Sequence, residues 1–363
     1  MFGNEFKDKK VLITGSTGFK GSWLSAWLLK LGAQVFGISK DIPTEPSLFE
    51  VLKLSEKINH TTDDIRDLSS VVNLLNHVKP DFVFHLAAQS IVSLSYKDPI
   101  ETISTNVIGT ANVLEALRRI NHPCIAVIIT SDKCYDNVEW VWGYREIDRL
   151  GGKDVYSGSK GAAELIFKSY FQSFLKGSMV QAATARAGNV VGGGDWAADR
   201  IVPDSMRAWS EARTVEMRMP NATRPWQHVL EPLSGYLSLA TELKTNPSIN
   251  GEAFNFGPHT ENNYSVKTLI EDMARVWGFK DSRQAYKISD NAVFAEAGLL
   301  KLNCDKSLYH LGWQPALDYN NMIKFTTLWY YEFYKGRDIF SYTIGQIAEY
   351  EAIAERKRIR WAG

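Results

Sequence analysis

Short apolar runs and helix-period stretches alternate through the first half of this 363-residue chain. Lys10 to Thr14 (KVLIT), Gln34 to Ile38 (QVFGI), Asp81 to Ala88 (DFVFHLAA), Ile125 to Thr130 (IAVIIT) and Val180 to Ala187 (VQAATARA) read as strands. Between them, Gly18 to Leu31, Pro99 to Ile120 and Val155 to Leu175 read as helices. Continuously apolar strands separated by helices predict βαβ units and a parallel sheet covered on both faces.

After Gly192 the rhythm loosens. Gly192-Gly193-Gly194-Asp195 is a loop signal. Helices are expected near Pro203 to Ala212, Pro232 to Leu243, Ser265 to Trp277 and Asn320 to Tyr334, with short strands at Ala253 to Phe256 and Leu300 to Leu302. The fold class expected is α/β, a doubly wound parallel Rossmann-type sheet with a smaller C-terminal substrate-binding lobe and a cleft between them. The expected division is residues 1–191, with a returning segment near 228–260, for the sheet lobe, and residues 192–363 mainly for the other. The charge run from Glu349 to Arg360 reads as a solvated helix end.

Composition narrows the function class only by exclusion. Lys+Arg and Asp+Glu both number 41, so the formal net charge is zero and bulk electrostatics do not point to nucleic acid or a membrane surface. The cysteines Cys124, Cys134 and Cys304 are too few and scattered for a disulfide framework or a zinc cage, so no metal is expected and a reducing, cytoplasmic setting is. No run approaches the ~18 apolar residues that span a bilayer, and MFGNEFKDKK has no apolar core of a signal peptide.

Two motifs carry chemistry. Gly15-x-x-Gly18-x-x-Gly21 lies between the first strand and the first helix, where glycines let backbone N–H groups approach a pyrophosphate at a helix N-terminus. Beyond the second strand, Ser39-Lys40-Asp41 offers an acid for a ribose diol and a base for a 2′-phosphate, leaving NAD and NADP both open. Tyr156 and Lys160 share one helix face at i, i+4. An ammonium beside a phenol favours the phenolate, which makes a general base for a hydroxyl. Ser131, at the carboxyl end of a strand, is expected to bind the same substrate oxygen.

Together the glycine turn, the strand-end serine and Y-x-x-x-K resemble the extended short-chain dehydrogenase/reductase family of nucleotide-sugar epimerases and dehydratases. His85-Leu86-Ala87-Ala88-Gln89, Asn106 and Asp64-Ile65-Arg66-Asp67 match further motifs of that family. The longer strings around Ser131 to Glu146, Tyr156 to Gly161, Arg186 to Trp196 and Arg224 to Val229 are similar to its CDP-sugar 4,6-dehydratases. The resemblance implies NAD as cofactor, held by Gly15, Thr17, Gly18, Phe19, Gly21, Asp64, Ile65, Leu86, Ala87, Ala88, Asn106, Tyr156 and Lys160. It implies a CDP-glucose substrate contacted by Gln89, Asn189, Arg200 and Arg224, and a homodimer built from the helices at 98–120 and 155–175.

The chemistry implied is oxidation at C4 of the hexose, loss of water across C5 and C6, and hydride return to C6, with Ser131, Asp132, Lys133, Tyr156 and Lys160 as the catalytic set. Asp132 and Lys133 are the expected acid/base pair, where the related dTDP-glucose dehydratases carry Asp-Glu. A 4-epimerase, a dehydratase of another nucleotide sugar and a non-catalytic nucleotide sensor are the alternatives on the same fold. One departure stands out: Ser93 and Leu94 occupy positions where the CDP-glucose enzymes tend to carry arginines. Trp226 and His228 are expected to pack structurally.

Overall fold

The computed structural model describes residues 1–259, 262–289 and 299–363. In chain order the first half contains β1 (Lys10–Thr14), α1 (Phe19–Lys30), β2 (Gln34–Ser39), α2 (Leu48–Val51), β3 (Asn59–Thr62), α3 (Leu68–Val78), β4 (Phe82–His85), α4 (Val92–Lys97), α5 (Pro99–Ile103), α6 (Gly109–Arg119), β5 (Cys124–Ile129), α7 (Val155–Tyr170) and β6 (Val180–Ala187). The second half adds β7 (Val190–Val191), α8 (Ile201–Ser210), β8 (Val215–Met217), β9 (Thr223–Arg224), β10 (Gln227–His228), α9 (Leu230–Thr245), β11 (Ala253–Phe256), β12 (Tyr264–Ser265), α10 (Val266–Trp277), β13 (Tyr286–Ile288), α11 (Asp305–Leu311), α12 (Tyr319–Tyr334) and α13 (Ile339–Arg356).

Seven strands form one sheet in the order β3-β2-β1-β4-β5-β6-β11, every neighbouring pair parallel. Strand order reverses between β1 and β4, and such a switch point opens a crevice at the carboxyl ends of the strands. Side chains alternate between two cores, as a sheet covered on both faces requires. Val11, Ile13, Phe82, Phe84, Val127 and Ile129 join the larger cluster with Trp23, Trp27 and Trp329. Leu12, Val83, Ala126 and Ile128 join the smaller one with Val113, Leu117 and Phe167. Burying such residues supplies about 25 cal/mol per Å² of apolar surface.

The expected doubly wound sheet is therefore present, with differences in detail. The helix expected over 99–120 is broken by a π-turn at Ser104–Ile108, between α5 and α6. The strand expected at Leu300 to Leu302 is a single bridge from Leu302 to Tyr144. The polar edge strand β3 carries no apolar signal, because Asn59–Thr62 is largely exposed. The end of α13 is solvated as expected, with Glu355, Arg356, Lys357, Arg358 and Arg360 exposed, but the charge run begins on a buried acid. Glu351 is buried on α13, accepts the Trp27 indole N–H at 2.8 Å and pairs with Lys30 at 2.5 Å, while Trp361 stacks on Phe2. The sequence pattern hides this because the partners of Glu351 lie more than 300 residues earlier.

Candidate active site

The glycine turn after β1 is as tight as its motif predicts. Gly15 has φ +75°, and a Cβ there would lie 2.8 Å from the Ala87 amide nitrogen; at Gly21 it would lie 2.1 Å from the Gly15 carbonyl oxygen. Side chains at either position would push α1 off the turn. The helix is capped by Gly18 with no side-chain partner, leaving the first-turn N–H groups for an anion. Thr17 is buried and its hydroxyl donates to the Asp41 carbonyl at 2.7 Å. Phe19 packs over this region, its ring 3.2 Å from where a Gly192 Cβ would stand.

The rim beyond β2 is ordered by charge. Asp64 accepts from the Arg66 guanidinium at 2.5 and 2.9 Å, Arg66 pairs also with Glu101, and Glu101 takes Lys40 at 2.7 Å. The Arg66 hydrogen bonds hold the Asp64 carboxyl below the usual range. Lys40 is thereby tied down, whereas the Asp41 side chain is 61% exposed. Ile65 is buried, and Gly109 makes room for it, since a Cβ there would stand 2.5 Å from its Cδ1.

His85 locks the strand ends that carry the opposite wall. Its Nδ1 meets the Thr14 hydroxyl at 2.7 Å and its Nε2 the Thr110 hydroxyl at 3.0 Å. Burial drives its pKa down to about 3, so the ring is neutral. Leu86, Ala87 and Ala88 follow, half-buried, with the Ala87 N–H donating to Thr14. Asn106 sits in the π-turn, fully buried. Its Oδ1 accepts the Gln89 N–H, and its Nδ2 donates to the Gln89 carbonyl and to the Ser159 hydroxyl at 2.9 Å. The Gln89 side chain is engaged at both ends, with Thr102 and with the Ile91 N–H.

Helix α7 starts at an Asp154 cap that accepts the Ser157 N–H, an interaction worth about 1 kcal/mol. Tyr156 and Lys160 lie on its buried face beneath the turn at Ser131–Cys134. Glu164 continues that face one turn further. It accepts from Arg186 at 2.8 and 2.9 Å, from Thr130 and from Thr184, while Arg186 also donates to the Tyr135 hydroxyl. This buried ion pair bolts the helix to β5 and β6. Sequence reading missed Glu164, although Tyr156, Lys160 and Glu164 repeat at i, i+4, i+8.

At the end of β5, the Ser131 hydroxyl donates to Asp132 Oδ1 at 2.9 Å and accepts the Lys133 N–H, so the three residues form one compact turn. Asp132 is buried because Gly188 lacks a side chain: a Cβ there would fall 1.9 Å from its Oδ2. Lys133 is half-buried. Burial pushes the Tyr156 phenol up to about 12, and the Ser131 hydroxyl, within hydrogen-bonding reach, pulls it part of the way back. The expected lowering by Lys160 is not what this fold provides. The leading cation on the phenol is Arg200, and Lys160 is itself depressed to about 8 by burial.

Arg200, at the N-cap of α8, pairs with the buried Asp195 at 2.7 Å and reaches toward the Ser90 hydroxyl. Asn189 adopts a left-handed φ of 51° between β6 and β7, and its carbonyl accepts the Gln227 N–H. Arg224 lies on β9, donating to the Thr223 carbonyl at 2.9 Å. Trp226 donates to the Tyr264 carbonyl, and His228 is fully buried between Trp23 and Phe325, both packing as expected. Ser93 donates to Asp199 at 3.2 Å. Among the described residues, no group of His, Cys, Asp and Glu is placed to hold a metal ion.

The profile of the family described as GDP-mannose 4,6 dehydratase matches residues 12–326. The chain is 43% identical to the CDP-glucose 4,6-dehydratase of Salmonella typhimurium over 358 residues, 97% of this chain and 99% of that protein. It is 23% identical to a UDP-glucose 4-epimerase of Mycoplasma pneumoniae over 90% of this chain and 97% of that one. Among solved structures it resembles the UDP-glucuronic acid 4-epimerase of Bacillus cereus in complex with UDP-glucuronic acid and NAD (TM-score 0.76, 21% identity, 89% of this chain and 99% of that one). A UDP-glucose 4-epimerase of Thermus thermophilus complexed with NAD is similar too, with TM-score 0.73, 21% identity and coverage of 89% and 99%.

Proposed function

This chain belongs to the GDP-mannose 4,6 dehydratase family, and we propose that it converts CDP-D-glucose to CDP-4-dehydro-6-deoxy-D-glucose with NAD as a recycled cofactor. The observation that carries the reading is the turn Ser131-Asp132-Lys133 packed on the face of α7 that presents Tyr156 and Lys160. A 4-epimerase needs the serine, tyrosine and lysine but has no step for the pair at 132 and 133. The relative from Salmonella typhimurium supports the nucleotide and sugar named.

The cleft fits a dinucleotide. The glycine turn is so close to its own backbone that a Cβ at Gly15 or Gly21 would strike it, which keeps the α1 N-terminus open to a pyrophosphate, and Ile65 and Asp64 stand at the far rim. Lys40, the base that would meet a 2′-phosphate, is already paired with Glu101 at 2.7 Å and lies 3.9 Å from Asp41, which favours NAD over NADP. Held there, NAD would supply the hydride acceptor for C4 and the hydride donor for C6.

The protein's part is proton traffic. Tyr156 would accept the 4-hydroxyl proton as the phenolate while Ser131 holds the same oxygen; burial opposes that form, and the positive charge of bound NAD⁺ would favour it. Oxidation places the C5 hydrogen beside a carbonyl, where the unprotonated amine of Lys133 would remove it and Asp132, in its acid form, would protonate the departing 6-hydroxyl; as hydride returns to C6, Lys133 would give its proton back to C5. Lys160 would hold the cofactor ribose, and Asn106, bonded to Gln89 and Ser159, braces the wall of the site. Gln89, Asn189, Arg200 and Arg224 line the sugar-nucleotide side, Arg groups suiting phosphate oxygens.

The reading carries an architecture and a setting. Residues 1–191 with the returning segment near 228–260 form the cofactor lobe, since β11 pairs with β6 and α9 packs on β5 and β6. Residues 192–363 mainly form the sugar-nucleotide lobe, and the enzyme works in the cytoplasm as a homodimer. Exposed apolar side chains on α5, the π-turn and α7, including Ile100 (72%), Ile108 (51%) and Leu165 (55%), support pairing through these helices. Charging that face with Ile100→Glu and Leu165→Glu should give a monomer in analytical ultracentrifugation; an unchanged dimer would place the interface elsewhere.

Incubation with CDP-glucose, dTDP-glucose, GDP-mannose and UDP-glucose tests the function directly. A 4-keto-6-deoxy product from CDP-glucose alone is expected. Epimerised sugar, or product from another nucleotide sugar only, would overturn the proposal.

A further inference from the structure

The turn that carries Ser131, Asp132 and Lys133 keeps its shape by bonds within itself. Ser131 donates to Asp132 and accepts the Lys133 N–H, and the Cys134 and Tyr135 N–H groups meet the Ser131 and Asp132 carbonyls at 3.2 and 3.3 Å. Its place in the fold is set by the residue on either side. Thr130, just before it, is buried; its N–H donates to the Ala185 carbonyl at 2.9 Å and its hydroxyl to Glu164 Oε1 at 2.5 Å. Tyr135, just after it, is buried too. Its hydroxyl accepts from Arg186 Nη1 at 2.7 Å and donates to Asn255 Oδ1 at 2.8 Å. The Tyr135 ring faces the Arg186 guanidinium, with 4.9 Å from Cζ to the centroid, and stacks on Tyr144.

Both anchors end on one ion pair. Arg186 grips Glu164 through Nε and Nη2 at 2.9 and 2.8 Å, which leaves Nη1 for Tyr135 and for the Glu146 carbonyl. Residues at every second position of a strand share a face. Along β6 and just past it, Thr184 and Arg186 bond to Glu164, and Gly188 clears the space of the Asp132 carboxylate. Glu164 itself belongs to α7, one turn beyond Lys160 and two beyond Tyr156. A phenylalanine would fill the same space as Tyr135, so packing alone does not call for its hydroxyl. What the hydroxyl adds is a fixed distance from the turn to Arg186.

We propose that Thr130 and Tyr135 are positioning residues, whose two hydroxyls fix the Ser131–Cys134 turn relative to α7 through the shared Glu164–Arg186 pair. The inference rests on the reading above, since the turn and helix so joined are the ones that reading assigns to the reaction. The two ends of the turn serve different steps. Thr130 adjoins Ser131, which holds the 4-oxygen during oxidation, whereas Tyr135 lies two residues from Lys133, which takes the C5 proton. A displacement of about 1 Å at either group costs about 10²-fold in rate, so each hydroxyl governs the step at its own end.

The test uses the full chain with NAD and compares wild type with Tyr135→Phe, Thr130→Val and Thr130→Ser. Tyr135→Phe should keep the burst of reduced nicotinamide on mixing with CDP-glucose, while C5 exchange in deuterated water falls by about 10- to 100-fold. Thr130→Val should slow the burst itself by a similar factor, and Thr130→Ser, which keeps the hydroxyl, should restore it. Hydrogen exchange read by mass spectrometry follows the turn independently of the reaction. Residues 131–136 should exchange faster in Tyr135→Phe and Thr130→Val, with 157–170 protected as in wild type. A lower thermal midpoint with wild-type burst, C5 exchange and protection of 131–136 would leave both hydroxyls to packing stability and overturn the proposal. Should Tyr135→Phe fail to fold, the two Thr130 variants decide, and equal rates and protection in them would overturn it. Should wild type turn over no CDP-glucose while Tyr135→Phe and Thr130→Val still loosen 131–136, the functional reading fails and the positioning stands. No turnover with 131–136 unchanged would sink both.

Discussion

In the proposed reaction Lys133 and Tyr156 serve different bonds of the sugar, which makes them separable. Tyr156→Phe should abolish the burst of reduced nicotinamide on mixing with CDP-glucose, because the 4-hydroxyl loses its proton acceptor. Lys133→Met should keep that burst and instead slow C5 exchange in deuterated water by about 10²- to 10⁴-fold, the usual contribution of a general base. Wild-type product formation by Lys133→Met would leave Lys133 a loop charge. Gly188 is bound to the same chemistry by space alone. A methyl group 1.9 Å from the Asp132 carboxylate forces that acid to move, so Gly188→Ala should lower turnover by about 10²-fold or more with NAD affinity intact. Steady-state kinetics beside NAD titration checks it, and unchanged turnover would remove Asp132 from the acid role.

Helix α7 presents Tyr156 and Lys160 from its first turns, and its hold on the sheet comes one turn later. Glu164 and Arg186 are both almost wholly buried, with side-chain exposures of 3% and 4%. Removing one member of such a pair strands the other charge, at a cost of about 3–5 kcal/mol. Glu164→Gln should therefore lower the thermal midpoint markedly and reduce turnover, as α7 loosens from β5 and β6. A calorimetric scan within a degree of wild type would show that the pair is not what fixes the helix. The π-turn at Ser104–Ile108 has a related use, since it places Asn106 where one amide reaches both the Gln89 backbone and Ser159 on α7.

Buried titratable groups give the folded chain a defined response to acid. Burial lowers both His85 and His228 from 6.5 to about 3. Between those values the unfolded chain binds protons that the native state does not, so stability is present above pH 6.5 and is lost as pH falls toward 3. The slope is about 1.4 kcal/mol per pH unit for each ring. His228 accepts the Leu230 N–H on Nδ1, while its Nε2 has no partner in the described structure. His228→Asn retains an acceptor without the titration, so denaturant unfolding between pH 6.5 and 4 should follow a shallower slope by about one proton. An unchanged slope would mean that His228 does not titrate on unfolding. Glu231 works in the opposite sense. Burial raises it to about 7, so its contribution falls as pH rises from 4.5 to 7.

Local pattern was enough for the sheet, the glycine turn and the Y-x-x-x-K face, because each depends on residues a few positions apart in one element. Apolar runs such as KVLIT and IAVIIT declare strands buried on both faces, and i, i+4 spacing declares a shared helix face. Other features needed the chain to close on itself. That Gly188 makes space for Asp132 and that Glu351 seats against Trp27 are facts of approach between distant segments. So is the raised phenol, since burial is a property of everything packed around a group and not of its neighbours in sequence. Residue type and spacing therefore determined which chemistry was present, while tertiary packing decided how each group is charged and which side chains hold it in place.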